Sequence, residues 1–245
     1  MKALIDIEII IHRELSKADE TSTPATIIDA CVRRAWEWRG LAGNCEPVLC
    51  ISDNNFRKVI APFYKAHRPP SPDHYKEVLA GLKQRMPHRT IHGLEADDVM
   101  GILQTSEVYG PTAIISIDKD MKTIPGRLVN PDKLLESGVV TEDEANYNWM
   151  YQTLVGDTAD GFKGCPRVGP VKAENALDGL SGSLTDMWAV VVALFAESNS
   201  EESPLLNARL ARILRRDDYD HEAGTIKLWH PEEHEIFDLE KMEVV

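Results

Sequence analysis

The sequence MKALIDIEIII, at residues 1–11, is apolar and rich in β-branched side chains, and its two acids are Asp6 and Glu8. A run of this kind is typical of a strand that is buried inside a sheet. The two acids, and the lack of a small-residue cleavage site, argue against a secretory signal peptide. We therefore predict that residues 1–11 form a buried strand ending near acidic side chains.

Two later runs are also mostly apolar, and both end in aspartates. PVLCISD, at residues 47–53, ends in Asp53, and TAIISIDKD, at residues 112–120, ends in Asp118 and Asp120. Patterns that predict helices occupy residues 24–40, 74–86, 93–110 and 185–197. Strands that alternate with helices predict an α/β fold, in which a mostly parallel central sheet carries helices on both faces. Ligands of such sheets bind outside the carboxyl ends of the strands, where the strand-end acids should converge.

A second group of acids lies in GLEADDVMG, residues 93–101, which holds three carboxylates within four residues. On a helix, Glu95 and Asp98 share a face, and Asp97 is turned about 100° away from it. Later in the chain, Asp157 and Asp160 are also three residues apart, as Glu95 and Asp98 are. The full set of candidate metal ligands is Asp6, Asp53, Glu95, Asp97, Asp98, Asp118, Asp120, Asp157 and Asp160.

Carboxylates gathered in this way need a countercharge, which hard divalent cations with oxygen ligands supply. Mg²⁺ keeps several waters and takes few direct carboxylates, so some of the nine acids should lie outside the first layer of ligands. Two ions about 4 Å apart can activate a water and stabilise the leaving oxygen of a phosphodiester. The alternative is that each acid is a helix cap, a turn residue or a solvated side chain, and an acidic first helical turn is favoured by the helix dipole.

Charge is distributed unevenly along the chain, whose formal net charge is −13. Residues 56–92 carry eight Lys or Arg and four His against two acids, whereas residues 217–245 carry ten acids against two Lys. The basic segment favours an anionic partner, although the total charge argues against one. We expect the acidic tail to be a solvated terminus, with packing through Ile226, Leu228 and Trp229 as an alternative.

Composition also bears on the compartment of the protein. No apolar run reaches the roughly 18 residues that span a bilayer, so we predict no membrane association. The four cysteines have neither metal-ligand nor CxxC spacing, so we expect free thiols in a reducing cytoplasm.

The order of the motifs resembles that of the 5′-nuclease (flap endonuclease) family, over about residues 1 to 195. The motifs that carry this resemblance are Asp6, Asp53, FRKVIAPFYKAHR, EADD, SIDKDM and GDTADGFKGCPRVGPVKA. EADD and DKD have little specificity alone, whereas the Gly- and Pro-rich hairpin that ends in GPVKA is much more specific. The resemblance is to bacteriophage-type stand-alone 5′–3′ exonucleases and to the 5′-nuclease domain of bacterial DNA polymerase I, and it implies a PIN-like core.

The family implies a two-metal active site with Mg²⁺, or Mn²⁺ in its place, held by the nine acids, with Glu8 only as a candidate outer ligand. It also implies a helical arch at about residues 56–92, in which Lys65 and Arg68 are catalytic and Arg57 contacts a phosphate. Tyr64 would stack on an unpaired terminal base. The alternatives are a solvated helix face for Lys65 and Arg68, and a core position for Tyr64.

The segment GCPRVGPVKA resembles the helix–two-turns–helix with which the family grips a DNA duplex. The implied DNA-binding residues are Lys163, Gly164, Arg167, Gly169 and Lys172, and the family hairpin also holds K⁺, here at residues 164–170. Lys163 and Arg167 replace the usual Pro and Gly, which adds positive charge. A plain loop between two helices is the alternative.

We therefore predict a divalent-metal-dependent 5′ nuclease of DNA, acting as a 5′–3′ exonuclease or a flap endonuclease in replication or repair. Its expected organisation is a nuclease core at 1–145, a hairpin region at 146–216 and an acidic tail at 217–245. Its partners would be branched or 5′-ended DNA and replication proteins, and the protein itself would be a cytoplasmic monomer. A non-catalytic DNA-structure binder of the same fold and a PIN-type ribonuclease are the two alternatives.

Overall fold

A six-stranded sheet forms the centre of the computed structural model, which describes residues 1–43, 45–198 and 201–245. The strands, numbered in chain order, are β1 (Lys2–Asp6), β2 (Glu46–Cys50), β3 (His88–Arg89), β4 (Thr112–Ile115), β5 (Gly126–Val129) and β6 (Gly138–Val140). They lie in the order β3-β2-β1-β4-β5-β6. β6 runs antiparallel to β5, and the other four pairings are parallel. The predicted, mostly parallel sheet is therefore confirmed.

The first strand is shorter than predicted, because β1 ends at Asp6 and helix α1 (Ile7–Leu15) begins at the next residue. Asp6 is the N-cap of α1, and its carboxylate accepts a hydrogen bond from the backbone N–H of Ile9 over 3.5 Å. Ile7, Ile10 and Ile11 are buried on one face of the helix. A continuous apolar run fits a buried strand and a buried helix face equally well, which is why the prediction was wrong after Asp6.

Eight more helices follow α1 in the described part of the chain. They are α2 (Pro24–Leu41), α3 (Arg57–Ile60), α4 (Tyr75–Arg85), α5 (Ala96–Gln104), α6 (Glu142–Val155), α7 (Pro170–Leu177), α8 (Leu184–Glu197) and α9 (Pro204–Ala211). α1, α2 and α4 cover one face of the sheet, where Ile10, Cys31 and Leu82 contact the core around Ile5. α5 covers the other face. The prediction of helices on both faces is confirmed.

The segment expected to form a helical arch, residues 56–92, takes a different form. It consists of the short helix α3, turns at residues 62–67, an irregular Pro-rich stretch and α4. Val78 and Leu82 of α4 are buried in the main core, so this helix belongs to the body of the protein. Proline disfavours helix in the residues before it, so the prolines between 69 and 72 separate the two helical pieces. The prediction of an arch across the whole segment is wrong.

The second half of the chain builds its own core next to the sheet. α6 leads into a two-stranded hairpin, β7 (Gly156–Asp157) and β8 (Phe162–Lys163), and α7 follows it. Trp149, Leu154 and Phe162 contact α7 and α8 in a shared apolar cluster. The predicted helix–two-turns–helix is present at the Gly- and Pro-rich motif as α6, the hairpin and α7. The predicted helix at 185–197 is confirmed as α8.

The acidic tail is folded, and the expectation of a solvated terminus is wrong. It forms an antiparallel sheet of β9 (Tyr219–Asp220), β10 (Thr225–Leu228), β11 (Glu235–Asp238) and β12 (Glu243–Val244). Ile226 and Phe237 are buried against Phe56 and Ile102. Apolar side chains alternate with polar ones along β10, so one face packs on the core while the other stays in solvent. The alternative, packing through Ile226, Leu228 and Trp229, is confirmed.

Two features of composition can now be compared with the structure. The four cysteines are free and buried, as predicted. Within the residues described, no helix combines the length and apolar character needed to cross a bilayer.

Candidate active site

A cleft of about 440 Å³ opens at the carboxyl edge of the central sheet. The acids that line it are Asp6, Glu8, Glu95, Asp97, Asp118, Asp120 and Asp160. The side chains of His12, Arg13, Lys65 and Arg68 line it as well. Six of the nine predicted metal ligands thus lie in one cleft, and so do both predicted catalytic cations.

Parallel strand pairing explains why acids from distant parts of the chain meet here. β1 and β4 are neighbours, and Asp6 and Asp118 lie at and just after their carboxyl ends. Asp118 begins a short 3₁₀ turn, and its carboxylate accepts a hydrogen bond from the backbone N–H of Asp120 over 2.9 Å. The turn therefore directs a second aspartate into the same cleft.

The start of α5 supplies Glu95 and Asp97. Glu95 is the N-cap residue, and its backbone N–H donates to Oδ2 of Asp98 over 3.3 Å in a capping box. Because the helix starts at the edge of the sheet, Glu95 and Asp97 face the strand-end acids. The backbone N–H of Ala96 donates to the hydroxyl of Ser52, just after β2, over 2.9 Å, which fixes the helix start against the sheet.

Crowding in the cleft changes the acidity of its carboxyl groups. Burial, together with the charges of Glu8 and Asp118, raises the pKa of Asp6 to about 7. Burial and the charge of Asp118 raise the pKa of Asp120 to about 7. The pKa of Asp97 is also well above its usual value, because the side chain is buried beside Asp6 and Asp118. The protein side chains around the cleft therefore supply too little positive charge to keep all of these carboxyl groups ionised.

This donor set fits a hard divalent cation, since all of its atoms are carboxylate oxygens in need of countercharge. Among the described residues, however, no three carboxylate, imidazole or thiol groups are already placed to hold one ion. Two of the acids, Glu95 and Asp160, are instead turned toward protein cations. Metal binding would therefore require some carboxylates to rotate.

Lys65 and Arg68 are the cations that hold these two acids. Nζ of Lys65 lies 2.6 Å from Oε1 of Glu95 and 3.6 Å from Oδ2 of Asp160. Nη2 of Arg68 lies 2.6 Å from Oδ1 of Asp160. Burial alone would lower the pKa of Lys65, but the charges of Glu95 and Asp160 raise it above its usual value. Both cations lie in a non-helical segment, where the side chain of Lys65 is largely buried and that of Arg68 is half exposed.

Tyr64 is a core residue, with 3% of its surface exposed. Its hydroxyl lies 2.7 Å from Oδ2 of Asp160, to which it donates, and 3.3 Å from Oε2 of Glu95. The residue belongs to an apolar cluster that includes Trp149 and Leu154. The prediction that Tyr64 stacks on a DNA base is therefore wrong, and its core alternative is confirmed.

Arg57 and Asp98 form a buried ion pair that is not part of the lining of the cleft but adjoins Glu95, which is. Nη1 and Nη2 of Arg57 lie 2.7 Å and 2.8 Å from the two oxygens of Asp98. Arg57 is 2% exposed and Asp98 is fully buried. Burial alone would lower the pKa of Arg57, but Asp98 raises it well above its usual value. In this structure the two groups are engaged with each other, so Asp98 is not brought together with the cleft acids. The phosphate contact of Arg57 and the metal contact of Asp98 stay predictions.

Asp53 and Asp157 also lie outside the lining of the cleft. Asp53 follows β2 as predicted, but its carboxylate accepts from the backbone N–H of Gly93 over 3.2 Å and contacts Nδ1 of His92 at 2.8 Å. Asp157 accepts from the backbone N–H of Ala159 over 2.7 Å and pairs with Nζ of Lys119 at 3.1 Å. These partners hold both carboxylates outside the lining of the cleft, although Asp157 is still close enough for its charge to raise the pKa of Asp120.

His12 and Arg13 are cleft residues that were not among the predicted site residues, and Glu8, which was predicted only as a candidate outer ligand, lies in the cleft as well. Glu8 is held by a hydrogen bond from the backbone N–H of Ser52 to its Oε1 over 2.9 Å. Glu8 and His12 are four residues apart and share one face of α1. Prediction of a helix after Asp6 would have pointed to His12 and Arg13, which the strand prediction for residues 7–11 did not.

The hairpin between α6 and α7 depends on close backbone packing. A Cβ atom on Gly164 would lie 2.2 Å from the carbonyl oxygen of Leu154, which leaves no room for a side chain. Lys163, Arg167 and Lys172 are exposed. Gly169 is the exposed N-cap residue of α7. The motif is therefore an ordered helix–hairpin–helix and not a plain loop.

Comparison with known proteins agrees with these observations. The family model described as 5′-3′ exonuclease, N-terminal resolvase-like domain, matches residues 3–146. The exodeoxyribonuclease of Enterobacteria phage T3 is 30% identical over 224 residues, which covers 75% of this chain and 73% of that protein. The exonuclease of Escherichia phage T7 is 31% identical over 225 residues, which again covers 75% of this chain and 73% of that protein.

The fold also matches solved structures. A structure of T5 5′-exonuclease with bound zinc superposes with a TM-score of 0.66 at 16% identity, covering 86% of this chain and 89% of that one. At this identity the match supports the fold alone. The family model and the phage relatives carry the assignment, and they show that the chain belongs to the 5′–3′ exonuclease family.

Proposed function

We propose that this protein is a divalent-metal-dependent 5′ nuclease that hydrolyses phosphodiester bonds of DNA, as a 5′–3′ exonuclease, a 5′-flap endonuclease or both. The observation that carries the proposal is the cleft in which seven acids face Lys65 and Arg68. Acids that bind divalent ions, next to cations that bind a phosphate, are the two components that hydrolysis of a phosphodiester needs.

The metal would be Mg²⁺, with Mn²⁺ able to replace it. Asp6, Asp97, Asp118 and Asp120 would hold the ions, with Glu95 and Asp160 joining after rotation. When bound, the ions would activate a water and neutralise charge on the phosphate. The raised pKa values of Asp6 and Asp120 support this assignment, because both groups gain from a nearby positive charge.

Lys65 and Arg68 would bind the phosphate next to the scissile bond. In the structure they neutralise Glu95 and Asp160. With Glu95 and Asp160 serving as metal ligands, the side chains of Lys65 and Arg68 would be free to pair with the phosphate. Cations placed where negative charge develops contribute strongly to phosphoryl chemistry because the site is shielded from water.

DNA would reach the cleft with its duplex held by the hairpin region. Lys163, Arg167 and Lys172 are exposed cations that can pair with backbone phosphates. Gly169 leaves the backbone N–H groups at the start of α7 accessible to a phosphate or, through nearby carbonyls at 164–170, to K⁺. We also infer that the protein works as a cytoplasmic monomer in replication or repair, alongside replication proteins.

The test is cleavage of 5′-flap, nicked and single-stranded DNA by the purified protein, with Mg²⁺ and with EDTA, next to the variant Asp118→Ala. We expect Mg²⁺-dependent cleavage that the variant lacks. Binding of flap DNA without cleavage would instead support a non-catalytic DNA-structure binder. Faster cleavage of matched RNA flaps would favour a ribonuclease.

A further inference from the structure

The buried pair of Arg57 and Asp98 joins three separate segments of the chain. Nε of Arg57 donates to the carbonyl oxygen of Leu210 over 3.2 Å, and Nη2 donates to that of Arg212 over 2.5 Å. Oδ1 of Asp98 accepts from the backbone N–H of Leu214 over 3.0 Å. The pair thus ties α3 and α5 to the segment that follows α9.

The contact between α5 and that segment is tight. A Cβ atom on Gly101 would lie 2.3 Å from the carbonyl oxygen of Leu214. Asp98 and Gly101 are three residues apart and share one face of α5. The position of α5, and of the acids at its start, is therefore set by this buried face.

Both members of the pair also contact Glu95, which lines the cleft. Oδ2 of Asp98 accepts from the backbone N–H of Glu95 over 3.3 Å. Nη1 of Arg57 lies 3.4 Å from Oε2 of Glu95. Glu95 is thus held at its backbone by Asp98 and at its carboxylate by Arg57.

The balance of charge decides which way Glu95 points. A buried guanidinium requires a carboxylate partner, and Asp98 satisfies this need with two short contacts. Glu95 is then free to place Oε1 toward the cleft, where Lys65 meets it at 2.6 Å. If Asp98 lost its charge, Glu95 would be the nearest remaining partner for Arg57 and would turn away from the cleft.

We propose that Arg57 and Asp98 are positioning residues that orient Glu95 for metal binding, and that neither touches metal or DNA. This inference rests on the proposed function of the cleft. It also differs from the roles that the sequence suggested, which made Asp98 a ligand and Arg57 a phosphate contact.

The experiment measures Mn²⁺ affinity of the full-length protein by EPR titration. The variants are Asp98→Asn, the double variant Arg57→Gln with Asp98→Asn, and Glu95→Gln as the control that removes the oriented carboxylate. Outer residues that orient ligands commonly change metal affinity by about 10- to 100-fold, so we expect about tenfold weaker binding for Asp98→Asn. The double variant has no buried cation to attract Glu95, so its affinity should return close to that of the wild type.

Two results would overturn the inference. One is a double variant that binds Mn²⁺ as weakly as Asp98→Asn, which would make Asp98 itself a ligand. The other is unchanged affinity in Asp98→Asn. Should Asp98→Asn fail to fold, the double variant, which leaves no buried charge unpaired, tests whether either residue touches the metal: affinity close to that of the wild type supports the inference, and affinity as weak as that of Glu95→Gln overturns it.

The proposed function can fail separately from this inference. A wild-type protein that neither binds Mn²⁺ nor cleaves 5′-flap DNA would refute the nuclease assignment. A wild-type protein that does both, with a double variant that remains defective, would refute the positioning role alone.

Discussion

Lys65 and Glu95 form a partly buried ion pair in the cleft, with Nζ of the lysine 2.6 Å from Oε1 of the glutamate. The backbone N–H of Lys65 also donates to the carbonyl oxygen of Asp160 over 2.8 Å, and its φ angle of 53° lies in the left-handed region. The turn that carries Lys65 is therefore attached to both groups of acids, those at α5 and those at the hairpin. A candidate catalytic cation and two candidate metal ligands thus compensate one another's charge.

Replacing Lys65 should separate metal binding from catalysis. For Lys65→Ala we expect the cleavage rate at saturating Mg²⁺ to fall by about 10²- to 10³-fold, as for other groups that stabilise developing charge. Its Mn²⁺ affinity should not fall, because the competing ammonium is gone. Lys76→Ala, an exposed lysine on α4, serves as the matched control in single-turnover assays and Mn²⁺ titrations. Equal loss of rate and affinity in Lys65→Ala would contradict the assignment.

Stabilisation by metal should increase with pH. The pKa values of Asp6 and Asp120 are raised from 3.8 to about 7, so both bind more protons in the folded than in the unfolded protein between these values. Their contribution to the stability of the metal-free protein is therefore lost as the pH rises toward about 7. Bound Mg²⁺ favours the ionised forms, so its binding strengthens over the same range.

Thermal unfolding with Mg²⁺ and with EDTA, from pH 5 to pH 8, measures this effect. We expect the difference in Tm between the two conditions to grow with pH, since a ligand that binds the folded state stabilises it according to its affinity. Comparing the two conditions cancels titrations elsewhere in the protein. A difference that stays constant over this range would show that these carboxylates do not control metal binding.

The residues that sequence patterns located correctly are those whose placement follows from strand topology. Asp6 and Asp118 end neighbouring parallel strands, and parallel pairing alone brings such ends to one edge. Glu95 and Asp97 follow from the same edge once a helix is predicted to start there. Lys65 and Arg68 depended on the family resemblance, because an isolated basic segment does not indicate where it folds.

The residues placed incorrectly are those whose partners are distant in the chain. The spacing of Asp98 shows the helix face on which it lies, but not that Arg57 and Leu214 meet that face inside the protein. Asp53 follows a strand as predicted, yet a contact with His92, which is distant in the chain, holds its carboxylate outside the cleft. Tertiary contacts of this kind leave no periodic signal in a single sequence, so pattern and propensity cannot reveal them.

Gly164 should be required for folding of the hairpin region. A Cβ atom there would lie 2.2 Å from the carbonyl oxygen of Leu154 and 2.3 Å from the carbonyl carbon of Val155, and these backbone atoms cannot move independently. Overpacking of this kind costs about 1–3 kcal/mol or more, so Gly164→Ala should lower the free energy of unfolding by that amount. Gly169→Ala is the matched control, since a Cβ there meets nothing within 4 Å. Equal stability of the two variants in urea unfolding would contradict the packing.

The acidic C-terminal sheet should contribute to the stability of the whole protein. Phe237 on β11 is fully buried, and its ring lies 5.8 Å from that of Phe56, next to the start of α3. Truncation of a buried phenylalanine costs about 3–5 kcal/mol, so Phe237→Ala should lower the free energy of unfolding by this amount in one cooperative transition. Lys227→Ala, an exposed position on β10, should change it by less than about 0.5 kcal/mol. Wild-type stability for Phe237→Ala in urea unfolding would mean that the segment is a detached, solvated terminus after all.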